Sequence, residues 1–248
     1  MDTSDFLINF SATEQDLIAV QRLRYQVFIE ELGGDGPDVD HENRLERDRY
    51  DAFASHLIAR HVPTGQVVGV YRLMTQEQAH AAGQFYSEDE FDLTVLKDSG
   101  RRLLELGRSC LHPSFRSGTA MYHLWRALAG YIAENRIEVL FGVASFHGTD
   151  MVHLAAPLSL LNSRHLAPKD LRVHVRSDEP VKMIPDALLD RRAAMVGMPA
   201  LIKAYLRLGG FVGEGAFVDR AFNTTDVCLI LDTARMNPRQ AALYQGGV

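Results

Sequence analysis

The chain contains 248 residues, of which 46% are hydrophobic and 23% are charged, and its formal net charge is −6 at pH 7. This composition predicts a globular protein with a sizeable core, built as one large domain or two small ones. The negative charge argues against general nucleic-acid binding, and the sequence has neither a run of about eighteen apolar residues nor a signal-peptide pattern. We therefore expect a cytoplasmic protein without a membrane span.

The cysteine content predicts neither a structural disulfide nor a thiolate metal site. Cys110 and Cys228 are the only cysteines, and each lies in an apolar run typical of a strand. Such positions favour reduced thiols packed in the core. The sequence shows no cluster of metal-ligating residues, so we expect no metal and no redox cofactor.

The N-terminal segment has the pattern of a strand followed by a helix. Phe6, Ile8 and Phe10 occupy alternate positions, as residues on one face of a strand do. An amphipathic helix is predicted next, with Ser11 or Thr13 as its N-terminal cap.

Breaker residues, a charged loop and a hairpin follow this helix. Residues 33–37, GGDGP, end the helix, and the charged stretch 38–51 is predicted to be a loop. A long polar loop beside a core element is often a lid or a binding loop. Residues 53–73 contain two strand-like runs around a turn at 63–65, which predicts a hairpin, and residues 76–91 have a weak helical pattern.

The stretch 102–111 is predicted to be a strand buried on both faces, yet it carries charges. Leucines dominate it, but Glu105, Arg108 and Ser109 interrupt them. An ionised group in such a strand is costly unless it is paired or has a function. A regular strand would direct Glu105 and Arg108 to opposite faces, unless Gly107 marks a bulge.

A turn at 112–118 and an amphipathic helix follow the charged strand, with Thr119 predicted to cap the helix. This arrangement directs the unpaired amides of the first helical turn beyond the end of the strand. Anions bind at such positions in many α/β proteins. The loop is therefore a candidate donor or cofactor site.

The rest of the chain continues the alternation of strands and helices. An apolar strand at 139–146 precedes a helix capped by Thr149 or Asp150. A further helix and two strands are predicted at 199–208, 211–218 and 227–231. Alternating helices and strands without internal repeats predict one mixed α/β domain.

Motifs spread over most of the chain carry a family resemblance. They are RYQVF at 24–28, ERDRYD at 46–51, HLIAR at 56–60, GVYRL at 69–73, LELGRSC at 104–110, FRSGTAMYHLW at 115–125, ASFHGTD at 144–150, MPALIKAYLRLGG at 198–210 and TTDVCLIL at 224–231. Together they resemble the GNAT acyltransferase superfamily and, more closely, its ornithine-lipid N-acyltransferases, also called hemolysin-like acyltransferases. The resemblance implies a GNAT-like α/β fold, with a mixed central sheet flanked by helices, in a single domain spanning residues 1–248 with a helical insertion around 149–195.

This resemblance implies an enzyme that transfers a 3-hydroxylated fatty acyl group from acyl carrier protein to the α-amino group of L-ornithine, the first step of ornithine lipid synthesis. The first half is also similar to the acyl-homoserine lactone synthases, which remain an alternative. Two other functions are also compatible with the sequence: an N-acyltransferase for glutamine, lysine or glycine, and a non-catalytic module that binds acyl carrier protein. Because the product would be a lyso-lipid, peripheral association with the inner membrane is also expected.

Glu105 is the first candidate for the catalytic base. Amide formation from a thioester needs a neutral amine, a proton acceptor and donors for the developing oxyanion. A buried carboxylate tends to bind protons more tightly, so Glu105 can accept the proton directly or through a water. The alternative is that Glu105 only pairs with Arg108 or Arg72, and the resemblance places all three in the catalytic set.

The acidic loop is the candidate site for the acceptor. Asp48, Asp51 and Glu46 can hold the cationic end of an amino acid, although such charge runs are also typical of solvated loop faces. The second interpretation fits Glu46 well, because it lies near Arg44 and Arg47 in the sequence. The resemblance adds to the acceptor site Arg24, Phe28, Ser109 and Ser145.

The loop after the charged strand is the candidate donor site, with residues Leu111, Arg116, Ser117, Gly118 and Thr119. Acetyl-CoA-binding members of the superfamily carry small residues where this sequence has Thr119 and Met121, and fewer glycines hinder the approach of backbone amides to a pyrophosphate. We therefore expect an acyl carrier protein as the donor. The basic residues between Arg164 and Arg192, with Arg172 and Arg176 among them, are expected to contact this typically acidic partner.

Overall fold

A computed structural model describes residues 5–117, 119–177, 181–239 and 242. The chain divides into two compact units, whose described residues fall within Met1–Gln84, Leu106–Arg136 and Ala242–Val248 for unit 1 and within Phe85–Glu105 and Ile137–Ala241 for unit 2. The boundary between Glu105 and Leu106 lies inside a strand. The single domain implied by the resemblance stays a prediction.

Strands supply the framework of both units. They are β1 (Phe6–Phe10), β2 (Ser55–His61), β3 (Gln66–Thr75), β4 (Phe91–Asp92), β5 (Leu103–Leu111), β6 (Val139–His147), β7 (His174–Val175), β8 (Phe211–Val212), β9 (Phe217–Asp219) and β10 (Thr224–Asp232). The helices are α1 (Glu14–Arg24), α2 (Gln76–Ala82), α3 (Thr94–Lys97), α4 (Ala120–Glu134), α5 (Met151–Arg164), α6 (Arg191–Val196) and α7 (Ala200–Arg207). Short 3₁₀ helices lie at Tyr86–Asp89, Pro113–Phe115, Asp186–Leu188 and Thr233–Arg235. The predicted mixed α/β class is confirmed.

In unit 1 the strands lie in the order β1, β2, β3 and then the part of β5 that begins at Leu106. β1 and β2 are antiparallel, as are β2 and β3, which confirms the predicted hairpin. Its core includes Val20, Leu23, Val27, Ile58, Val67, Val70 and Cys110. The predicted loop at 38–51 has no helix or extended strand, because its backbone forms turns and one isolated bridge between Asp40 and Leu45.

In unit 2, the first three residues of β5 pair in parallel with β6, from Leu103 opposite Val139 to Glu105 opposite Phe141. β6 is antiparallel to β10 over the whole length of β10, and β8 and β9 also pair with β10. The prediction of a single strand at 211–218 is wrong. This stretch forms two strands, β8 and β9. It is interrupted because Gly215 has a φ of +89° and the Glu214 amide donates to the Val173 carbonyl, at 2.8 Å.

Side-chain caps explain where α1 and α5 begin. Thr13, not Ser11, caps α1: its hydroxyl accepts from the Asp16 amide at 3.1 Å, and the Asp16 carboxylate accepts from the Thr13 amide at 3.2 Å. Asp150, not Thr149, caps α5 by accepting from the Val152 amide at 2.9 Å. Thr119 occupies the N-cap position of α4, as predicted, but its side chain makes no capping hydrogen bond.

Both cysteines are free and buried, as the sequence predicted. Burial raises the pKa of the Cys110 thiol to about 12 and also raises the pKa of Cys228. A thiol with such a pKa is an inert core group at neutral pH. Among the described residues, no helix has the length and apolar character that crossing a bilayer needs.

Candidate active site

Strand β5 is irregular at its charged residues. Arg108 has a φ of +49°, a left-handed conformation that is uncommon for a residue other than glycine. The parallel pairing with β6 has its last register pair at Glu105, before this point. The irregularity that the sequence suggested at Gly107 therefore lies one residue later, and regular side-chain alternation cannot be carried across it.

In unit 1, three arginines and three carboxylates form one ion network, and Arg24 is at its centre. Arg24 is the last residue of α1 and is 0% exposed. Its guanidinium binds both Glu46 and Asp51. The Arg24–Asp51 contact is bidentate, with Nη1 and Nη2 at 2.7 and 3.0 Å from the two carboxylate oxygens. Nη2 also donates to the Glu46 carbonyl at 2.8 Å, and Gln21 donates to Asp51 at 3.0 Å.

The other two arginines come from strands β3 and β5. Nη1 of Arg72 donates to both oxygens of Asp48, at 2.6 and 2.7 Å, and to Asp51 at 3.1 Å. Arg108 donates from Nε to Glu46 and from Nη2 to Asp48, each at 3.1 Å. The network thus joins the end of α1, the acidic loop, β3 and β5.

The charges of the network balance, and burial distinguishes its members. The side chains of Arg24, Glu46, Asp51 and Arg72 are at most 4% exposed. Those of Asp48 and Arg108 are 12% and 13% exposed. The Asp48–Arg108 pair is therefore the edge of the network that solvent reaches, and a solvated-face interpretation is wrong for Glu46 and Asp51.

Arginines keep Asp48 and Asp51 ionised. Burial alone would raise the pKa of Asp48, but the charges of Arg72 and Arg108 outweigh it and lower the pKa below its ordinary value. Burial opposes ionisation of Asp51 too, and Arg24 and Arg72 lower the pKa of that carboxyl strongly. For Arg24, burial disfavours the charge, and Glu46 and Asp51 raise its pKa.

His56 is a buried titratable neighbour of this network that the sequence did not indicate. It is 2% exposed, lies opposite Arg72 in the β2–β3 pair, and its Nε2 is 3.4 Å from the Asp51 carbonyl oxygen. Its Nδ1 has no hydrogen-bond partner among the described residues. Burial, helped by the charges of Arg24 and Arg72, lowers the pKa of His56 to about 4, although the Asp51 carboxylate acts in the opposite direction.

This pKa predicts a loss of stability in mild acid. Below its ordinary pKa of 6.5, His56 binds a proton in the unfolded chain that the folded protein excludes until the pH falls to about 4. The free energy of unfolding of the wild type should therefore fall as the pH drops from 6.5 to about 4. His56→Gln should flatten this dependence, whereas His80→Gln, at an exposed position of α2, should not. Urea titrations at several pH values measure the difference, and equal slopes in all three proteins would contradict the assignment.

Glu105 lies in unit 2 and is held by the start of the 3₁₀ helix Tyr86–Asp89. Its Oε1 accepts from the Ser87 amide at 2.7 Å and from the Ser87 hydroxyl at 2.5 Å, and its Oε2 accepts from the Tyr86 amide at 3.0 Å. Ser87 is 0% exposed and Glu105 is 4% exposed. A carboxylate has room for about four donors. Glu105 is thus oriented by three donors, and its role as base stays a prediction.

The predicted donor loop is anchored by Arg116. Its Nη1 and Nη2 each lie 2.6 Å from an oxygen of Glu31, and its Nε donates to the Leu111 carbonyl at 3.2 Å. The hydrogen bond from Arg116 lowers the pKa of Glu31. Arg116 therefore ties the end of β5 to the π-helical segment Tyr25–Glu31 that continues α1.

The remaining predicted site residues occupy several environments. Ser117 is exposed, Gly118 lies outside the described residues, and the buried hydroxyl of Thr119 has no hydrogen-bond partner among those that are described. Phe28 packs against the unit 1 core, and Ser109 is half-buried in β5. Ser145 is exposed on β6 in unit 2. Of the predicted acceptor residues, the structure brings together Arg24 and the three acidic residues, with Arg72 and Arg108 from the catalytic set.

Unit 2 also contains a group of carboxylates that could surround a cation. One oxygen each of Glu90, Asp219 and Asp226 lies within 4.8 Å of the others. Asp219 accepts from the Ala221 and Phe222 amides at 2.9 and 3.0 Å, and Asp226 accepts from the Thr224 hydroxyl at 3.3 Å. Oδ1 of Asp219 and Oδ2 of Asp226 thus already accept hydrogen bonds within the fold, and we assign no metal to the group.

Comparison with known proteins defines the class to which this fold and network belong. A family model described as an acetyltransferase (GNAT) domain matches residues 23–126, a range that contains the whole ion network. A solved structure of a CoA-dependent acyl-homoserine lactone synthase, BjaI, superimposes with a TM-score of 0.55 at 13% identity, covering 96% of this chain and 87% of that one. At that identity the likeness concerns the fold alone. Residues 23–126 thus match the GNAT acetyltransferase class, and the chain shares the fold of that synthase.

Within that class, two relatives are similar over nearly their full lengths. The L-ornithine N(alpha)-acyltransferase of Rhodobacter capsulatus is 53% identical, with 96% of this chain and 93% of the relative covered. The enzyme of the same name from Brucella abortus is 40% identical, with 91% and 84% covered. The chain belongs to the L-ornithine N(alpha)-acyltransferase family.

Proposed function

We propose that the protein transfers a 3-hydroxylated fatty acyl group from acyl carrier protein to the α-amino group of L-ornithine, with a lyso-ornithine lipid as product. The observation that carries this proposal is the 53% identity to the Rhodobacter capsulatus L-ornithine N(alpha)-acyltransferase over 96% of the chain. No metal or other cofactor takes part in the proposed reaction. The proposed location is the cytoplasm, with peripheral attachment to the inner membrane.

The proposed roles follow from which charges are accessible. Asp48 is the network carboxylate with an exposed edge, so it is the one that an ammonium group of the acceptor can approach. Arg108 beside it is 13% exposed and places positive charge where the acceptor's carboxylate can approach. Arg24, Glu46, Asp51 and Arg72 hold these two residues in place. Glu105 accepts the proton that the α-amine loses, directly or through a water.

The direct test incubates the protein with acyl carrier protein thioesters and separate amino acids, and detects the products by mass spectrometry. Ornithine, lysine, glutamine, glycine and S-adenosylmethionine form the panel. Acyl-ornithine as the main product supports the proposal. Acyl-homoserine lactone from S-adenosylmethionine would identify a lactone synthase instead, and binding of the thioester without release of thiol would indicate a non-catalytic module.

Asp48 and Asp51 are expected to respond differently to loss of charge. Asp48→Asn should raise the KM for ornithine about tenfold, because a hydrogen bond to a charged group contributes about 1.5–3 kcal/mol. Its effect on norvaline, which has no side-chain ammonium, should be smaller. Asp51→Asn should instead destabilise the fold, because Arg24 loses a buried partner. Steady-state kinetics combined with thermal melting distinguish a raised KM from a destabilised fold. An equal change in KM for ornithine and norvaline would contradict charge recognition by Asp48.

The proposed carrier-protein donor is tested by comparing it with CoA. We expect kcat/KM for acyl carrier protein thioesters to exceed that for acyl-CoA about tenfold or more at low salt and to fall as salt rises, because steering by charge gives about 10- to 1000-fold. Equal efficiency with both donors, without salt dependence, would contradict the proposal. Arg172 and Arg176 are unsuitable probes, since their Nε atoms donate to the Ala167 and Phe91 carbonyls at 2.8 and 3.2 Å, so reversing them would disturb the fold.

A further inference from the structure

Unit 2 exposes two large aliphatic side chains on a short segment that also carries basic residues. Leu188, at the end of the 3₁₀ helix Asp186–Leu188, is 78% exposed, and Val196, at the end of α6, is 75% exposed. Such exposure of large aliphatic side chains is unfavourable in water.

Buried residues and a helix cap hold this segment in place, so Leu188 and Val196 remain exposed to solvent. Leu189 and Ala194 are 8% and 1% exposed and anchor it to unit 2. Asp190 caps α6 by accepting from the Arg192 and Ala193 amides at 3.0 Å each. On α6, Arg192 and Val196 are four positions apart, both are exposed, and they therefore share one face of the helix.

The charge of this region is opposite to that of the whole chain. Residues 182–196 contain three cationic side chains and two carboxylates, a net charge of +1, whereas the chain carries −6. One of the two carboxylates, Asp186, is already bound by Arg164 and Arg191, at 2.6 and 2.8 Å. The other, Asp190, is occupied as the helix cap. Since Arg191 is paired with Asp186, the positive charge that this segment presents to solvent comes from Lys182 and Arg192.

We propose that Lys182, Leu188, Arg191, Arg192 and Val196, here called the 182–196 surface, bind an anionic lipid bilayer. Isolated aliphatic side chains next to arginines fit the boundary between headgroups and acyl chains, where each basic residue and each buried methylene adds affinity. A bilayer can adapt to two protruding side chains, whereas a stable protein partner needs about 800 Å² of complementary surface on each side. This inference rests on the proposed function, because an acylated ornithine is an amphiphile that would be delivered to such a surface.

The test measures sedimentation of the full-length protein with vesicles of phosphatidylcholine, alone or mixed with phosphatidylglycerol, at low and physiological salt. The wild type should bind the mixed vesicles and not the neutral ones. Arg192→Glu should weaken this binding about fivefold or more, since each basic residue near an anionic surface contributes about that factor. Leu188→Asp with Val196→Asp should weaken it about tenfold or more.

Val62→Asp is the matched control, because Val62 is 55% exposed but follows β2 in unit 1. It should bind mixed vesicles as the wild type does. The Leu188→Asp, Val196→Asp double variant and Val62→Asp should keep acyltransfer to ornithine in a vesicle-free assay, so a failure of the proposed function is recognised separately, as absence of that activity in the wild type.

Three outcomes would overturn the proposal. The first is that the wild type does not bind the mixed vesicles, and the second is that the double aspartate variant binds them as well as the wild type. The third is that the variants raise the KM for acyl carrier protein without changing vesicle binding. That result would assign the surface to the carrier protein.

Discussion

Arg24→Met is expected to lower the free energy of unfolding by about 3–5 kcal/mol, the range found when one partner of a buried ion pair is removed. Arg24 is 0% exposed and binds Glu46 and Asp51, which are also buried. Without its guanidinium, the network keeps three carboxylates and two arginines, and burial leaves water unable to compensate for the excess negative charge. Urea denaturation followed by circular dichroism measures the change.

Two further variants identify the cause of this loss. Arg47→Met removes an arginine that is 51% exposed and bridges Asp40 at 3.1 Å, and should cost at most about 1 kcal/mol. Arg24→Met combined with Asp51→Asn restores equal numbers of positive and negative charges, so it should recover part of the stability that Arg24→Met loses. If Arg24→Met cost no more than Arg47→Met, or if the double variant were the sum of its single changes, charge balance would not be what the network contributes.

The contrast between these arginines shows what the sequence could predict about the site. The charged residues of the network were predicted to matter, because ionised groups in a leucine-rich strand, or in a loop beside the core, are costly unless they are paired or have a function. Their pairing was not, since Arg24 and Arg108 reach Glu46 from 22 and 62 positions away. Local patterns carry no information about such contacts. The acidic loop therefore suggested an open cation site, whereas only Asp48 keeps an accessible edge.

The fold was predictable where hydrophobic periodicity is strong, as in the β2–β3 hairpin and the β5–α4 unit. It was not predictable where the backbone conformation depends on distant partners. Thr119 has the residue type of a cap, yet α4 begins without its hydroxyl. The apolar run at 211–218 divides because Glu214 pairs with Val173, in a different part of the chain. Ser87 gave no signal at all, because its role is defined only by Glu105, 18 positions away.

Glu105→Gln is expected to lower kcat about 10²- to 10⁴-fold with little change in KM, because general-base catalysis contributes about that factor. The substitution also disturbs a hydrogen-bond set. Oε1 takes two donors from Ser87 and Oε2 takes the Tyr86 amide, so an amide NH₂ in either position would face another donor. A buried mismatch of this kind costs about 1–3 kcal/mol. Turnover must therefore be expressed per folded molecule, with the folded fraction determined by thermal melting.

Ser87→Ala separates proton acceptance from this structural effect. It removes the hydroxyl donor at 2.5 Å and leaves both backbone donors and the carboxylate itself. Fewer donors stabilise the ionised carboxylate less, so the acidic limb of the kcat/KM profile should move to higher pH while activity at alkaline pH is kept. Ser87→Thr, which retains a hydroxyl, should restore the original profile. If Glu105→Gln melted at a lower temperature but turned over normally per folded molecule, and Ser87→Ala left the pH profile unchanged, Glu105 would be the cap of the 3₁₀ helix Tyr86–Asp89 and another group would accept the proton.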